Sequence, residues 1–168
     1  MSEEIINRVA NSELITFDLE DYYPEGVRFP FDLKDWLYEG LVLREKEFRQ
    51  HVKTYVWSQH KDHFIALFCS TEAIIPDWAF MLIALHLQPY AKKVVFGNLE
   101  SLETALYQDV IGQLEISAFE NKPVIIKGCS KKPVPTSAYV MITNKLKPVA
   151  RSIMFGEACS SVPLFKKK

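Results

Sequence analysis

The chain nearly repeats itself, because the segment 76–97 aligns with the segment 135–156 at an offset of 59 residues. A repeat near this length indicates one supersecondary unit used twice. With 168 residues, the chain has the size of one ordinary domain. We therefore expect a single domain, 1–168, with repeat units at about 40–97 and 99–156. The identical pairs include Pro76/Pro135, Ala79/Ala138, Leu87/Leu146, Pro89/Pro148, Ala91/Ala150, Phe96/Phe155, Gly97/Gly156 and Ser101/Ser160.

Each repeat holds two apolar runs with a helix-like segment between them. The first run is nearly continuous, which is typical of a strand buried on both faces. A strand, a crossover helix and a second parallel strand form a right-handed unit in nearly all known proteins. The sequence therefore predicts an α/β fold, a mostly parallel sheet with helices, built from two tandem helix–strand–loop–helix–strand repeats. Strands are expected at 63–68, 92–96, 123–127 and 151–155, and helices at 76–87, 100–114 and 135–146.

The N-terminal part is expected to add a β-hairpin to this sheet. Residues 14–19 alternate apolar and polar side chains, and residues 27–31 form a second short strand after the turn at 23–26. The segment 33–57 is expected to be helical, with a break at Gly40 left open. Residues 1–12 are expected to be a short helix or a frayed end, and 162–165 an extended edge segment because Pro163 lacks an N–H.

Composition and charge limit the classes of binding partner and the cellular compartment that we expect for this chain. The net charge is −1, and no basic stripe runs along a periodic segment, which disfavours nucleic acid and membrane surfaces. The most apolar stretch, 73–87, is interrupted by polar residues and falls short of a membrane span. An acidic N-terminus and three widely spaced cysteines suit a reducing compartment. We expect a cytoplasmic protein, with a protein partner and with monomer and homodimer both open.

The loops that follow the two buried runs carry the candidate ligand-binding residues. Ligands of open α/β sheets bind at the carboxyl ends of the strands, beside helix N-termini. A cysteine at such a place has its thiolate favoured by the helix dipole, and neighbouring N–H groups can hold an anion. A glycine there lets a ligand approach the backbone closely. The expected residues are Cys69, Ser70, Gly128, Cys129 and Ser130.

A third cysteine, Cys159, follows the last strand of the second repeat. If the strand order brings it to the same edge as Cys69 and Cys129, three thiolates could bind zinc or an iron–sulfur cluster. No C-x-x-C spacing supports such a site. The competing interpretation is that each cysteine packs in the core as a small apolar residue.

The other polar clusters are interpreted as structural. No nucleophile elbow, phosphate loop or dinucleotide-binding motif occurs. Solvated side chains are expected at His51, His60, His63, Asp18, Glu20 and Asp21, and exposed aromatic side chains at Tyr22, Tyr23 and Trp36.

Eight short segments, taken together, resemble a known family. They are 10–12 (ANS), 17–21 (FDLED), 23–26 (YPEG), 73–76 (AIIP), 88–97 (QPYAKKVVFG), 127–130 (KGCS), 132–135 (KPVP) and 152–157 (SIMFGE). The chain is similar over its whole length to a Bacteroidetes family of small uncharacterised proteins catalogued as a domain of unknown function. The resemblance implies a single-domain cytoplasmic protein. Relatives are often encoded near genes for iron–sulfur assembly, so it also implies an accessory role in that process.

Three functional hypotheses follow. The first is an accessory or binding protein whose strand-end cysteine loops hold a metal, a cluster or a partner's thiol. The second is a thiol-dependent enzyme that uses Cys69 or Cys129 as a nucleophile with a lowered pKa. The third is a structural or dimerisation module with core cysteines, for which a surface cluster of aromatic side chains would be the sign.

Overall fold

The computed structural model describes residues 13–128 and 131–168, which form two compact units. Unit 2 is Pro24–Leu106, and unit 1 is built from the chain up to Tyr23 together with Tyr107–Lys168. In chain order the strands and α-helices are β1 (Ile15–Phe17), β2 (Arg28–Asp32), α1 (Glu45–Thr54), β3 (Phe64–Phe68), α2 (Asp77–Leu87), β4 (Lys93–Phe96), α3 (Leu99–Gln113), β5 (Pro123–Ile126), α4 (Thr136–Leu146), β6 (Ser152–Glu157) and β7 (Ser160–Lys166).

Each unit has its own sheet, and the sheets are largely parallel. Unit 2 has the strand order β2-β3-β4, with both pairs parallel. Unit 1 has the order β1-β5-β6-β7, in which only the outer pair, β6 and β7, is antiparallel. The mixed α/β architecture that the sequence predicts is therefore confirmed. No described helix has the length and apolarity that crossing a membrane requires.

The central strand of unit 2 is buried on both faces. Ile65 and Leu67 pack in one apolar cluster with residues of α1 and α2, while Phe64 and Ala66 pack in a second cluster with Leu102 of α3. Successive side chains of a strand point to opposite faces, so this alternation places helices on both sides of the sheet. This is the arrangement that the continuous apolar run at 63–68 predicts.

Residues 59 apart occupy matching places in the two units. The β3–β4 ladder pairs Phe64 with Lys93, and the β5–β6 ladder pairs Pro123 with Ser152 in the same register. Helices α2 and α4 both have 11 residues and both begin immediately after a proline. The side chains that bury these helices correspond one to one: Ala79/Ala138, Ile83/Ile142 and Leu87/Leu146 are all 0% exposed.

Glycines at matching positions of the two units have similar backbone conformations. Gly97 after β4 has φ +132 and Gly156 in β6 has φ +121, values that residues with a Cβ rarely adopt. A Cβ on Gly156 would lie 2.7 Å from the carbonyl oxygen of Ser160. Glycine at these two positions is therefore set by the backbone.

Two expectations for the N-terminal region need correction. The hairpin is not confirmed, because β1 pairs with β5 and β2 pairs with β3, so each strand joins a different sheet. The helical segment expected at 33–57 is interrupted around Gly40, where a break was left open, and much less of it is helical than expected. The chain forms a 3-10 helix at Leu33–Trp36, leaves helical geometry with φ +50 at Glu39, and begins α1 only at Glu45. The expected elements at 1–12 lie outside the described residues.

We expect Ile83→Ala and Ile142→Ala each to lower the free energy of unfolding by about 2–5 kcal/mol, because each leaves a cavity in a fully buried site. Chemical denaturation of the purified variants measures this. Val140→Ala, at a position 56% exposed on α4, should change stability by less than about 0.5 kcal/mol. A loss confined to only one of the two isoleucine variants would contradict the matched packing of α2 and α4.

Candidate functional site

Asp32 ties together two strand ends of unit 2. It ends β2, and its Oδ1 accepts hydrogen bonds from the backbone N–H of Lys34 and of Ser70, both at 3.0 Å. The first bond caps the 3-10 helix Leu33–Trp36, and the second holds the loop that follows β3. Asp32 therefore positions the loop that carries Cys69.

The charge of Asp32 is favoured by these bonds. Burial acts to raise the pKa of its carboxyl, but hydrogen bonds from the Ser70 side chain and from the backbone of Lys34 and Ser70 outweigh burial. The nearby Lys34 ammonium acts in the same direction. The pKa of Asp32 is thus lowered, and the residue is an anion at neutral pH.

Cys69 lies half-buried at the carboxyl end of β3. Its Sγ lies 3.2 Å from the Thr71 hydroxyl oxygen, and its side chain packs against the apolar cluster between the sheet and α2. Ser70 beside it is exposed. Within the described residues, the hydroxyl of Thr71 is the only hydrogen-bonding group on this thiol, so no histidine activates it there.

Unit 1 has a different set of contacts at the matching strand ends. Asp18 follows β1, caps the 3-10 helix Leu19–Tyr22 and contacts the Lys127 ammonium at 3.1 Å. The hydrogen bond and the charge of Asp18 raise the pKa of Lys127. Glu20 accepts backbone hydrogen bonds from Lys131 and from Lys132, the latter at 2.7 Å. These two carboxylates were expected to be solvated, but they bind residues that follow β5 through an ion pair and backbone hydrogen bonds.

The expected ligand-binding residues of this loop are only partly described. A Cβ on Gly128 would lie 2.8 Å from the Phe155 ring, so the glycine accommodates this ring. Cys129 and Ser130 lie outside the described residues. Their expected roles stay predictions.

The three-cysteine metal site also stays a prediction. Cys69 belongs to unit 2, and Cys159 is exposed in the turn between β6 and β7 of unit 1. Among residues 13–128 and 131–168, no group of three histidine, cysteine, aspartate or glutamate side chains is placed to bind a metal ion. A site that includes Cys129 is not tested by this finding.

An apolar groove of about 540 Å³ adjoins the Cys69 loop in unit 2. Its most exposed apolar side chains are Ile74 at 95%, Leu41 at 63% and Val42 at 53%. Ile74 lies on the loop between β3 and α2, so the groove and the thiol share one loop. The lining residues are Leu41, Val42, Leu43, Glu45, Glu72, Ala73, Ile74, Pro76 and Trp78.

Sequence reasoning missed a buried histidine cluster in unit 2. His60, expected to be solvated, is 1% exposed, and its Nε2 forms a 2.7 Å hydrogen bond with the Tyr55 hydroxyl. Nδ1 of His60 and Nδ1 of His63 are buried and have no hydrogen-bond partner in the described part of the chain. Burial and the neighbouring charge of His63 lower the pKa of His60.

The aromatic side chains expected at the surface are packed instead. Tyr22 stacks on Phe17 with ring centroids 5.0 Å apart, and Tyr23 packs against the core of unit 1. Trp36 lies edge-on to Phe31 at 5.4 Å in the core of unit 2. Each of the three side chains is thus partly buried within its own unit.

A short internal pattern could have revealed the role of the two aspartates. The segments 17–21 (FDLED) and 31–35 (FDLKD) share Phe-Asp-Leu-x-Asp. In the structure each Phe and Leu is buried, and each first Asp caps a 3-10 helix at a strand end. The pattern thus marks the same strand end in both units.

The comparisons with known proteins identify a family. Residues 3–167 match the family model described as Protein of unknown function (DUF2480). Because the match covers nearly the whole chain, the protein belongs to this family. No curated protein and no solved structure gives a significant match.

We expect Asp32→Ala to lower the free energy of unfolding at neutral pH by about 1 kcal/mol, because it removes a helix cap and a strand-end tie. A carboxyl with a lowered folded pKa stabilises above its unfolded pKa of about 3.9, and this contribution is lost as the pH falls below that value. The difference in free energy of unfolding between wild type and Asp32→Ala should therefore become smaller in acid. Urea titrations at several pH values measure it, with exposed Asp35→Ala as the matched control.

We expect unit 2 to lose stability as the pH falls below about 6.5, the ordinary pKa of histidine. Because the folded pKa of His60 is lowered, the unfolded chain binds the proton more readily in this range, so acid favours unfolding. His60→Phe should show a shallower dependence, since Phe119 occupies the matching buried position of unit 1. Exposed His51→Gln is the control. An unchanged pH slope in His60→Phe would contradict the assignment.

Proposed function

We propose that this protein is a cytoplasmic accessory protein that binds a polypeptide segment in the strand-end groove of unit 2. We define the strand-end groove by its walls, Leu41, Val42 and Ile74, and its rim, Glu45 and Glu72. The observation that carries the proposal is the exposure of Ile74, at 95%, on the same loop as the half-buried Cys69. A strand-end edge is where open α/β sheets bind ligands.

The apolar walls support a polypeptide occupant. Three large aliphatic side chains lie more than half exposed around one concavity, an arrangement that favours association because covering them removes apolar surface from water. The volume of about 540 Å³ accommodates one or two apolar side chains of a partner. The loop that carries Ile74 is joined at its start to β2 through the hydrogen bond from the Ser70 N–H to Asp32.

The charge of the rim supports a basic segment. Glu72 forms no ion pair with another described residue, whereas Glu45 pairs with Arg49 at 2.9 Å on the exposed face of α1. Among the residues that the structure describes, no lysine or arginine lines the groove itself. A segment that combines apolar side chains with arginine or lysine therefore complements this surface.

A thiol role is the finer part of the proposal. Cys69 would hold a metal, a cluster or a partner's thiol while the groove holds the polypeptide. The support is the position of Cys69 at a strand end and the resemblance to a family that implies iron–sulfur assembly. The alternative, a thiol-dependent enzyme, requires a group that lowers the pKa of the nucleophile.

A binding assay tests the groove. The probe is a fluorescein-labelled peptide with leucine and phenylalanine beside arginines, and the matched probe carries glutamates in place of the arginines. Wild-type protein should bind the arginine peptide at least about tenfold more tightly, a difference of about 1.4 kcal/mol. Ile74→Asp and Glu72→Lys should each weaken binding, while Glu100→Lys, exposed on α3, should not. Equal binding of both peptides, or no effect of Ile74→Asp, would overturn the proposal.

The proposed role of the Cys69 thiol is tested in a separate experiment. Metal content and alkylation of each cysteine are measured on anaerobically purified protein, with Cys69→Ser and Cys159→Ser compared. Bound iron or zinc that is lost only in Cys69→Ser supports metal or cluster handling. Rapid alkylation of Cys69 near neutral pH without metal favours the enzyme alternative. Absence of metal with a native Cys69 that alkylates no faster than exposed Cys159 counts against any thiol role.

A further inference from the structure

The outer edge of β4 differs from its counterpart in unit 1. β4 is the last strand of the sheet of unit 2, and no strand of the described chain pairs with its outer side. β6 occupies the matching place in unit 1, and β7 pairs with it in the antiparallel direction. An edge strand presents backbone N–H and C=O groups that can pair with another chain. The antiparallel pairing of β7 with β6 in unit 1 therefore shows which kind of strand the matching edge of β4 could bind.

A groove beside β4 lacks the side chain that its counterpart contains. In unit 1, Phe165 of β7 pairs with Ile153 and packs against the core, with the Lys147 ammonium 6.0 Å from its ring. Val94 is the counterpart of Ile153. The groove beside Val94 has a volume of about 690 Å³ and is lined by Met81, Ala84, Leu85, Gln88, Ala91, Lys92, Lys93 and Val94.

The exposure of matching side chains also indicates that, within the described chain, β4 is uncovered where β6 is covered by β7. Phe96 of β4 is 70% exposed, whereas Phe155, its counterpart opposite Val162 of β7, is 36% exposed. On α2, Met81 and Leu85 are 64% and 69% exposed. A covering strand at β4 would remove this continuous apolar surface from water.

We propose that the β4 edge of unit 2 accepts an extended, antiparallel strand of a partner polypeptide that carries a Phe-acidic pair. The aromatic ring lies opposite Val94 and enters the groove beside α2. The acidic side chain lies opposite Lys93 and beside Lys92. This site is separate from the strand-end groove and does not rest on the function proposed for it.

The charge pattern distinguishes this occupant from a second copy of the chain's own β7. In unit 1, β7 places Lys166 opposite Ser152. The counterpart of Ser152 in unit 2 is Lys93, so a β7 strand bound in the same register would place two lysines opposite each other. Like charges directly opposite each other destabilise a strand pair, while opposite charges stabilise it. The edge therefore favours an acidic residue where β7 has Lys166.

The chain's own sequence supplies a matched pair of probes. One labelled peptide carries residues 160–168 unchanged, and the other carries them with Lys166→Glu, Lys167→Glu and Lys168→Glu. The acidic peptide should bind wild-type protein at least about tenfold more tightly than the unchanged peptide. Amide hydrogen exchange should slow in β4, since backbone pairing protects these amides.

Two substitutions at matched positions locate the binding. Leu85→Glu alters an exposed wall of the groove and should weaken binding of the acidic peptide at least about tenfold. Asn144→Glu, the exposed counterpart on α4, should leave it unchanged. Equal affinity for both peptides, protection outside β4, or no binding would overturn the proposal. Self-association of the protein that Leu85→Glu abolishes would also overturn it, because the occupant would then be a second copy.

Discussion

Burial of the central strand on both faces is the constraint on which unit 2 depends. Apolar clusters cover both faces of β3, and the crossovers that carry the covering helices run β2, β3 and β4 parallel. Parallel strands bring their carboxyl ends to one edge. Asp32, Cys69 and the loop that leads into α2 meet there as a direct result. The candidate site is thus a consequence of how the core is built.

The repeat made much of this architecture predictable. Local signals were sufficient for the central strands and for α2 and α4, since continuous apolar runs and helix-opening prolines report burial and helix starts directly. The pairing of β1 and β2 was not predictable in this way. Strands separated by a turn usually form a hairpin, but here each finds its partner far along the chain, and local sequence carries no signal for that choice.

The expectation of helical structure across 33–57 overestimates its extent for a related reason. Asp32 does cap a helix, but a capping residue reports only where a helix begins and not how long it continues. The buried state of His60 also escaped prediction, because polarity alone assigns histidine to the surface. Its counterpart 59 residues on is buried Phe119, so the repeat held the missing information. Cys69 lies at the expected strand end, whereas its contact with Thr71 depends on a side-chain geometry that spacing does not encode.

The placement of unit 2 inside the sequence of unit 1 has a consequence for biosynthesis. β1 leaves the ribosome before its hydrogen-bonding partner β5, which emerges only after the entire inserted unit. Unit 2 has a continuous chain and can complete its core while translation proceeds, as domains generally do from the N-terminus. β1 can form its native pairing only after β5 has emerged, and closing the long loop between them carries an entropy cost that unit 2 does not bear.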